Sequence, residues 1–151
     1  MKTIIIFPFL FVCFASYSQC INCKSLKTAL TQPLIVKSLD IDGVAYNIHF
    51  DGFPHEVLSL KNLEDLALSD ENLKSIPPAI GDLAKLKTIT FVNCQLTSVP
   101  DEIFKLKNLQ TINLIRNNFS HEYLKDLKTK FKKFLPKTLV VISKEYNDIS
   151  L

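Results

Sequence analysis

Three histidines, His49, His55 and His121, are the side chains best suited to proton transfer near neutral pH. None of them lies in a motif with a nucleophile or with a second metal ligand. The sequence therefore predicts ordinary surface or loop histidines and no catalytic residue.

Paired carboxylates are the second candidate for acid–base chemistry, because Asp40, Asp42 and Asp65 fall close to the first predicted strands. Solvated acids on an open sheet explain these residues more simply, since nothing around them implies a pocket. We therefore predict a protein that is not an enzyme and needs no cofactor.

The segment Cys20-Ile21-Asn22-Cys23 has the spacing of a redox or zinc motif. A zinc site needs a second pair of ligands, and the sequence spaces none to provide it. We therefore predict no metal site. In an exported protein, the same spacing predicts a local disulfide between Cys20 and Cys23.

The composition excludes several other classes of protein. The chain has 151 residues, of which 47% are hydrophobic and 22% are charged, so it is expected to form one modest domain. Its net charge of +3 gives no electrostatic reason to expect a nucleic-acid partner. Only 3 glycines are present, which leaves no room for a glycine-rich phosphate loop.

Residues 1–19 are predicted to be a signal peptide. Lys2 precedes an apolar run from Ile4 to Ala15, and the small residues Ser16 and Ser18 follow it. This run is too short to span a bilayer comfortably, so a permanent membrane anchor is disfavoured.

Two cleavage sites remain open. Cleavage after Ser18 obeys the small-residue rule and gives a soluble secreted product, whereas cleavage before Cys20 gives a lipid-bearing N-terminal cysteine. The residues Tyr17-Ser18-Gln19-Cys20 match a lipobox poorly, because that pattern has Leu near −3 and Gly or Ala at −1. We therefore predict a secreted or extracytoplasmic protein, with a membrane-anchored lipoprotein as the alternative.

Apolar residues recur every 23 residues from Leu63 onward, in the segments LEDLALSDENLKSIPPAIGDLAK, LKTITFVNCQLTSVPDEIFKLKN and LQTINLIRNNF. The alternation in the first part of each segment predicts a strand with one buried face. Pro77 and Pro100 then predict a turn out of the strand layer, because proline cannot continue a sheet ladder.

These segments resemble the leucine-rich repeat, whose pattern is L-x-x-L-x-L-x-x-N/C-x-L. The resemblance covers residues 36–142, which we assign as the repeat domain. It implies an α/β fold, namely a right-handed solenoid with a parallel β-sheet on its concave face. It also implies a non-catalytic module that recognises another protein through that face.

The ninth position of each repeat normally carries Asn or Cys, whose side chain bonds the backbone of the bend between coils. In this sequence the position holds Glu71, Cys94 and Asn117. Cys94 is therefore expected to be a buried structural thiol. Glu71 departs from the pattern, and its charge is expected to turn to solvent.

Both ends of the solenoid are predicted to carry atypical caps. Residues 20–35 form an N-terminal cap segment with a short helix, and an irregular first coil follows. The strand around Leu39 precedes that around Leu66 by 27 residues, which implies four extra residues in this coil. The dipeptide Asp42-Gly43 is also a hairpin-turn signal.

The C-terminal cap is predicted to start at residue 120 and to consist of a helix and a strand. Ser120 is expected to cap the helix, Pro136 to stop it, and Leu139 and Val141 to supply the last edge strand. Residues 143–151 are a predicted tail. The apolar face of the helix comprises Tyr123, Leu124, Leu127, Phe131 and Phe134.

The repeat frame also predicts which side chains face a partner, since alternate strand residues point away from the core. Val92, Ile115 and Ile142 are expected to form an apolar ridge among Thr and Asn side chains, with Arg116 at its margin. The predicted partner-binding residues are Thr88, Thr90, Val92, Thr111, Asn113, Ile115, Arg116 and Ile142.

Charge is distributed unevenly along the chain. Residues 40–71 contain eight acids and one lysine, whereas residues 116–137 contain seven bases and two acids. These oppositely charged ends allow head-to-tail self-association or attraction to an anionic envelope polymer. The alternative function is an envelope-associated structural or adhesive component, held by a lipid on Cys20 or by the lysine-rich C-terminal end. A membrane contact is predicted only if Cys20 is lipidated, and the identity of the protein partner is not encoded.

Overall fold

The structure is a computed structural model, and it describes residues 20–47 and 49–142. The predicted signal peptide and the predicted tail lie outside the described residues, so these two assignments stay predictions.

Six parallel strands form one sheet, in which the spatial order follows the order along the chain. The α/β solenoid with a parallel sheet is thereby confirmed. The strands are β1 (Asn22–Cys23), β2 (Ser38–Asp42), β3 (Asp65–Ser69), β4 (Thr88–Val92), β5 (Thr111–Asn113) and β6 (Leu139–Val141).

Short 3-10 helices lie in the segments that return the chain from one strand to the next. They span His55–Ser59, Pro78–Asp82 and Asp101–Lys105. Each follows a proline with extended backbone, at Pro54, Pro77 and Pro100. Each proline lies well after the end of the preceding strand, at the start of a 3-10 helix, where its fixed φ suits the helix and its missing N–H costs no hydrogen bond.

The core lies between the strands and these returns. Leu66, Ile89 and Ile112 pair across β3, β4 and β5 and are at most 1% exposed. Strand residues alternate between buried and half-exposed, as the period of two requires. The returns also pack tightly, because a Cβ added to Gly81 would lie 2.6 Å from the carbonyl oxygen of Glu102.

The first coil is irregular because a four-residue helix, α2 (Gly43–Tyr46), follows its strand. β2 pairs with β3 in parallel, with Leu39 opposite Leu66, so α2 accounts for the four extra residues. The hairpin at Asp42-Gly43 was a wrong alternative. The Asp42 carboxylate instead caps α2 by accepting a hydrogen bond from the Ala45 N–H at 2.8 Å. The segment before β2 carries a six-residue helix, α1 (Leu26–Thr31).

Backbone turns recur at the same place in every coil. Asn47, Asp70, Asn93 and Arg116 all have left-handed backbone, with φ between 49° and 57°. Asn and Asp tolerate this conformation better than other side chains, which explains three of the four residues. Arg116 has no such backbone advantage.

The third coil returns through a full helix, α3 (His121–Phe134). The Ser120 hydroxyl accepts a hydrogen bond from the Tyr123 N–H at 3.1 Å, as expected for its cap. Leu127 and Phe131 are buried, and the Phe131 ring packs edge-on against Phe104 with centroids 5.0 Å apart.

The alternation predicted for the last strand was wrong by one residue. β6 pairs Leu139 with Thr111 and Val141 with Asn113, so these two side chains share the outward face. Ile142 is 5% exposed and belongs to the core, whereas it was predicted to lie on the concave face. A shift of one residue moves every side chain of a strand to the opposite face, and here it lets Ile142 close the core.

Truncation of a stacked core residue tests this architecture. Replacing Ile112 by Ala should lower the free energy of unfolding by about 2–5 kcal/mol, because it opens a cavity between coils. Thr111→Ala, on the outward face, is the matched control and should change it little. A thermal melt of Ile112→Ala identical to that of the original protein would contradict the stacked core.

Candidate functional site

The candidate site is the face of the sheet that points away from the core, here called the open face. Its strand residues are half-exposed, apart from the more exposed Leu139, while their neighbours along each strand are buried. It consists of Ser38, Asp40, Asp42, Asp65, Ala67, Ser69, Thr88, Thr90, Val92, Thr111, Asn113, Leu139 and Val141.

The middle of the open face carries small hydrogen-bonding side chains. Thr88 lies beside Thr111, and Thr90 lies beside Asn113, because β4 and β5 pair in this register. The Asn113 side-chain oxygen accepts a hydrogen bond from the Ile115 N–H at 3.2 Å. Asn113 therefore holds the end of β5 as well as contributing to the face.

Two branched apolar side chains adjoin these polar rows. Val92 ends β4, and Ile115 lies two residues beyond the end of β5, both half-exposed. The Asn93 N–H donates to the Ile115 carbonyl at 3.1 Å and so holds the two coils together here. Arg116 is exposed next to Ile115, whereas the third member of the predicted ridge, Ile142, is buried and does not reach the open face.

The bend that ends each strand is held by the side chain at the ninth repeat position. Asn117 accepts hydrogen bonds from the N–H groups of Cys94 and Leu96 at 3.1 and 3.0 Å. Its amide nitrogen donates to the carbonyls of Phe91 and Leu114 at 2.7 and 2.9 Å. One buried amide thereby satisfies backbone groups in two coils.

Cys94 occupies the same position one coil earlier and is buried. Its thiol hydrogen is shared between the carbonyls of Leu68 and Val92, both 3.2 Å from the sulfur. Burial raises the pKa of the Cys94 thiol to about 12, so the group keeps its proton at neutral pH. It is a structural thiol rather than a nucleophile.

Glu71 is the exception at this position, and the expectation that its charge faces solvent was wrong. The residue is 2% exposed, because the bend position lies inside the stack of coils. Its Oε2 accepts a hydrogen bond from the Phe50 N–H at 2.8 Å, while Oε1 is buried and has no partner among the described residues. A carboxylate can only accept hydrogen bonds, whereas Asn117 both accepts and donates.

Burial raises the pKa of Glu71, an effect that the Phe50 N–H and the charge of His49 oppose. The carboxylates of Asp42 and Asp70 raise the pKa further. Protonation of Glu71 is consequently coupled to the packing of the first bend.

Solved structures resemble this fold. A leucine-rich-repeat protein of Leptospira interrogans is 33% identical over 79% of this chain, with a TM-score of 0.58. The chain belongs to the leucine-rich-repeat family. An internalin and internalin C2 of Listeria monocytogenes also match, with identities of 14% and 18% and TM-scores of 0.51 and 0.50. No protein-family model matches the chain, and no curated protein is significantly similar to it.

The chain is shorter than the proteins it resembles. It spans 28% of the Leptospira chain, and 34% and 53% of the two internalin chains. The two internalin matches align 82% and 84% of this chain. Because their sequence identities are low, they establish the fold alone. The leucine-rich repeat is a fold typical of protein-interaction modules. The fold does not specify the partner of this chain.

The remaining candidates for chemistry in this leucine-rich-repeat protein are dispersed. His49, His55 and His121 are each exposed. Within residues 20–47 and 49–142, no group of three His, Cys, Asp or Glu side chains is placed to hold a metal ion. In the same ranges, no helix is long and apolar enough to cross a membrane.

A cavity of about 660 Å³ opens at the N-terminal end, between α1 and the first return. Apolar side chains such as Leu26, Leu30 and Phe50 line it, together with His55. The residues that line it do not include His49, Asp40 or Asp42. The cavity therefore does not bring His49 together with these two aspartates.

The structure pairs Cys20 with Cys23 in a disulfide, with Cα atoms 5.4 Å apart. A lipid on Cys20 would need the same sulfur atom. The disulfide and the lipid anchor are therefore mutually exclusive states of this cysteine.

Lysines pair with three of the acids in the acidic segment, residues 40–71. Asp40 pairs with Lys24 at 2.7 Å, and Asp51 pairs with Lys74 at 2.8 Å. Glu64 lies between two further lysines, Lys37 and Lys87. Because of these ion pairs, the two ends of the folded chain differ less in net charge than the two segments of the sequence do. The structure therefore supports head-to-tail self-association less than the sequence alone does.

Replacing Glu71 by Gln tests the buried carboxylate. A carboxyl group whose pKa is raised by folding destabilises the folded protein at pH values above that raised pKa. The lost stability returns as the pH falls towards 4.5, the pKa of the same group in the unfolded chain. Glu71→Gln should therefore stabilise the protein at neutral pH by about 1 kcal/mol or more, because Gln is uncharged and can also donate. The difference should shrink on acidification.

Chemical denaturation at several pH values measures this difference. Glu64→Gln, at an acid in surface ion pairs, is the control. A constant gap between Glu71→Gln and the original protein from neutral pH down to the unfolded pKa would rule out a charge buried at this bend.

Proposed function

We propose that this protein is a non-catalytic module that binds another protein through the open face, the concave face of the family's solenoid. The observation that carries the proposal is the in-register set of half-exposed side chains across β2 to β6, which the described part of the chain leaves uncovered. Backbone hydrogen bonding and a continuous core hold these side chains on a rigid support. A rigid surface loses little conformational freedom when it binds.

The dimensions of the face suit recognition of a folded partner. Five strands at a spacing of about 4.8 Å make a surface about 19 Å across. Such a width accommodates the central part of a standard protein interface. A small molecule would instead need a concave pocket.

The composition of the face also fits an interface. Val92 and Ile115 provide apolar anchors, and threonines and Asn113 surround them with groups that both donate and accept hydrogen bonds. We assign the contact region to Thr88, Thr90, Val92, Thr111, Asn113, Ile115 and Arg116. Ile142, which belongs to the core, is removed from this set.

Arg116 supports the assignment through its position. It occupies the left-handed turn position that Asn47, Asp70 and Asn93 fill in the other coils. An arginine at φ 56° costs the fold about 1 kcal/mol. Lys74 and Gln95 have left-handed backbone as well, so the support for Arg116 comes from its place beside Ile115 and from the enrichment of arginine at interface hot spots.

The disulfide between Cys20 and Cys23 supports a secreted or extracytoplasmic location, because disulfides persist in oxidising compartments. In a soluble product this disulfide would occupy the Cys20 sulfur, whereas in a lipoprotein a lipid would occupy it. Mass spectrometry of the natural N-terminus distinguishes the two: a diacylated Cys20 would overturn the soluble assignment. A net charge of +3 gives no support for a nucleic-acid partner.

Charged substitutions on the apolar anchors test the open face. A photo-crosslinker at Thr90, in protein returned to its native environment, should capture a partner. Val92→Asp combined with Ile115→Asp should reduce its recovery by about tenfold or more, because carboxylates replace desolvated contacts.

The matched control for this experiment is Leu34→Asp combined with Val44→Asp, at side chains that are 74% and 73% exposed outside the open face. It should leave capture unchanged. Equal loss in both double variants, or equal recovery of the partner with both, would move the binding site away from the open face.

Arg116→Asn separates binding from folding. Asn suits the left-handed backbone, so the variant should be more stable by about 0.5–1 kcal/mol. It should nevertheless bind the captured partner more weakly. A variant that is more stable and binds equally well would exclude Arg116 from the interface, and thermal melting with a quantitative binding assay measures both properties.

A further inference from the structure

A row of lysines lies where the returns meet the strands, at the N-terminal ends of β2 to β5. Lys61, Lys85 and Lys107 each lie in the turn between a 3-10 helix and the next strand. Lys37 and Lys87 directly precede β2 and β4. All five are exposed, and together they are here called the basic rim.

Hydrogen bonds between consecutive coils hold the basic rim in order. The Glu64 N–H donates to the Lys37 carbonyl and the Lys87 N–H donates to the Glu64 carbonyl, both at 2.7 Å. The Asn108 amide nitrogen donates to the Ala84 carbonyl at 2.8 Å and so joins the last two of the three turns. Neighbouring turns therefore follow one another close to the strand spacing of about 4.8 Å. The lysines of the three turns recur with the coils.

Positive charge exceeds negative charge along the basic rim. Of the two acids present, Glu64 is shared by two lysines, Lys37 at 3.1 Å and Lys87, while Asp65 begins β3. Five lysines thus stand against two acids in the segments that make up this part of the molecule, which are 36–38, 60–65, 83–88 and 106–111.

Two lysines of the turns are held by neutral groups. Lys85 donates to the side-chain oxygen of Asn62 at 2.6 Å, and Lys107 donates to the Phe104 carbonyl at 2.8 Å. A hydrogen bond to a neutral acceptor fixes the ammonium group and leaves its charge in place. The rim consequently presents ordered positive charge to a negatively charged partner.

The surroundings of these lysines favour a sugar polymer over a nucleic acid or a peptide. The four segments contain no aromatic ring, so bases would find no surface on which to stack. The backbone groups that begin the strands already bond the neighbouring coil, so an extended peptide would find no free strand edge there. Amide side chains lie among the lysines at Asn62, Asn108 and Gln110, and amides can bond hydroxyl groups as donors and as acceptors.

We propose that the basic rim binds an acidic polysaccharide, a linear chain with a carboxylate on each sugar unit, laid across the coils. Its carboxylates approach Lys61, Lys85 and Lys107, and its hydroxyl groups bond the amides between them. The match is one of period, because charges that recur along the polymer meet lysines that recur with the coils.

This site is separate from the open face. The three turn lysines lie before the strands and are not strand residues, so their substitution leaves the open face unchanged. It is also separate from the lysine-rich C-terminal end, which begins at Arg116. Failure of the polysaccharide site would therefore leave the proposed function intact.

The test uses the full chain and an oligomer of galacturonic acid, which is linear and has one carboxylate on each unit. Isothermal titration calorimetry at low salt should show saturable binding, and physiological salt should weaken it several-fold. The methyl-esterified oligomer has the same sugar units without the charge and should not bind.

A triple variant of the rim locates the contact. Lys61→Gln combined with Lys85→Gln and Lys107→Gln should weaken binding about tenfold or more, because the charges opposite the carboxylates are lost. The substituted side chains are exposed, so the thermal melt should change little.

The matched control substitutes three exposed lysines of α3, namely Lys125→Gln, Lys132→Gln and Lys133→Gln. It changes the net charge of the protein by the same amount. Binding should change by about twofold at most, because these lysines act on the polymer only through screened, long-range attraction.

Three outcomes would overturn the proposal. The first is no saturable binding of the oligomer. The second is equal weakening in the two triple variants, which would reduce binding to the net charge of the protein. The third is binding of polyglutamate, or of vesicles containing phosphatidylglycerol, that is as tight as binding of the oligomer and is lost in the same rim variant. That result would assign the rim to an acidic peptide or to a membrane.

Discussion

The structure depends on one constraint: the inward side chains of each coil can be buried only by the coils on either side. Leu66, Ile89 and Ile112 have no core of their own and form one only when stacked. The parallel ladder fixes the register in which they meet, and the buried bend side chains bond the backbone of consecutive coils. The register of the strands and the burial of the bend side chains both follow from this stack.

Much of this architecture is readable in the sequence, because a repeated coil repeats its physical requirements. The strand alternation, the prolines at Pro77 and Pro100, the helix cap at Ser120 and the structural role of Cys94 are all local signals that the stack reinforces. The turn residues Asn47, Asp70 and Asn93 share the same spacing, a signal that sequence reasoning missed.

The errors occur where the repeat is broken. The phase of β6 could not be deduced, because α3 replaces the usual return and resets the alternation that a fixed period would supply. Glu71 was assigned to solvent from its charge, although its position in the coil places it inside. At that bend the geometry of the stack outweighed the preference of a carboxylate for water. The binding residues are harder to predict from the sequence than the core. The core is fixed by contacts within the chain, whereas a binding surface also depends on the partner.

The contact between Gly81 and Glu102 has a consequence for shape. The backbone of one return lies against the backbone of the next, with no room for even a methyl group. Curvature of a solenoid arises from the difference between the spacing of its strands and the spacing of its returns, so this glycine lowers the curvature between the two coils that it joins. A larger residue at position 81 would push the two returns apart and change the angle between those coils.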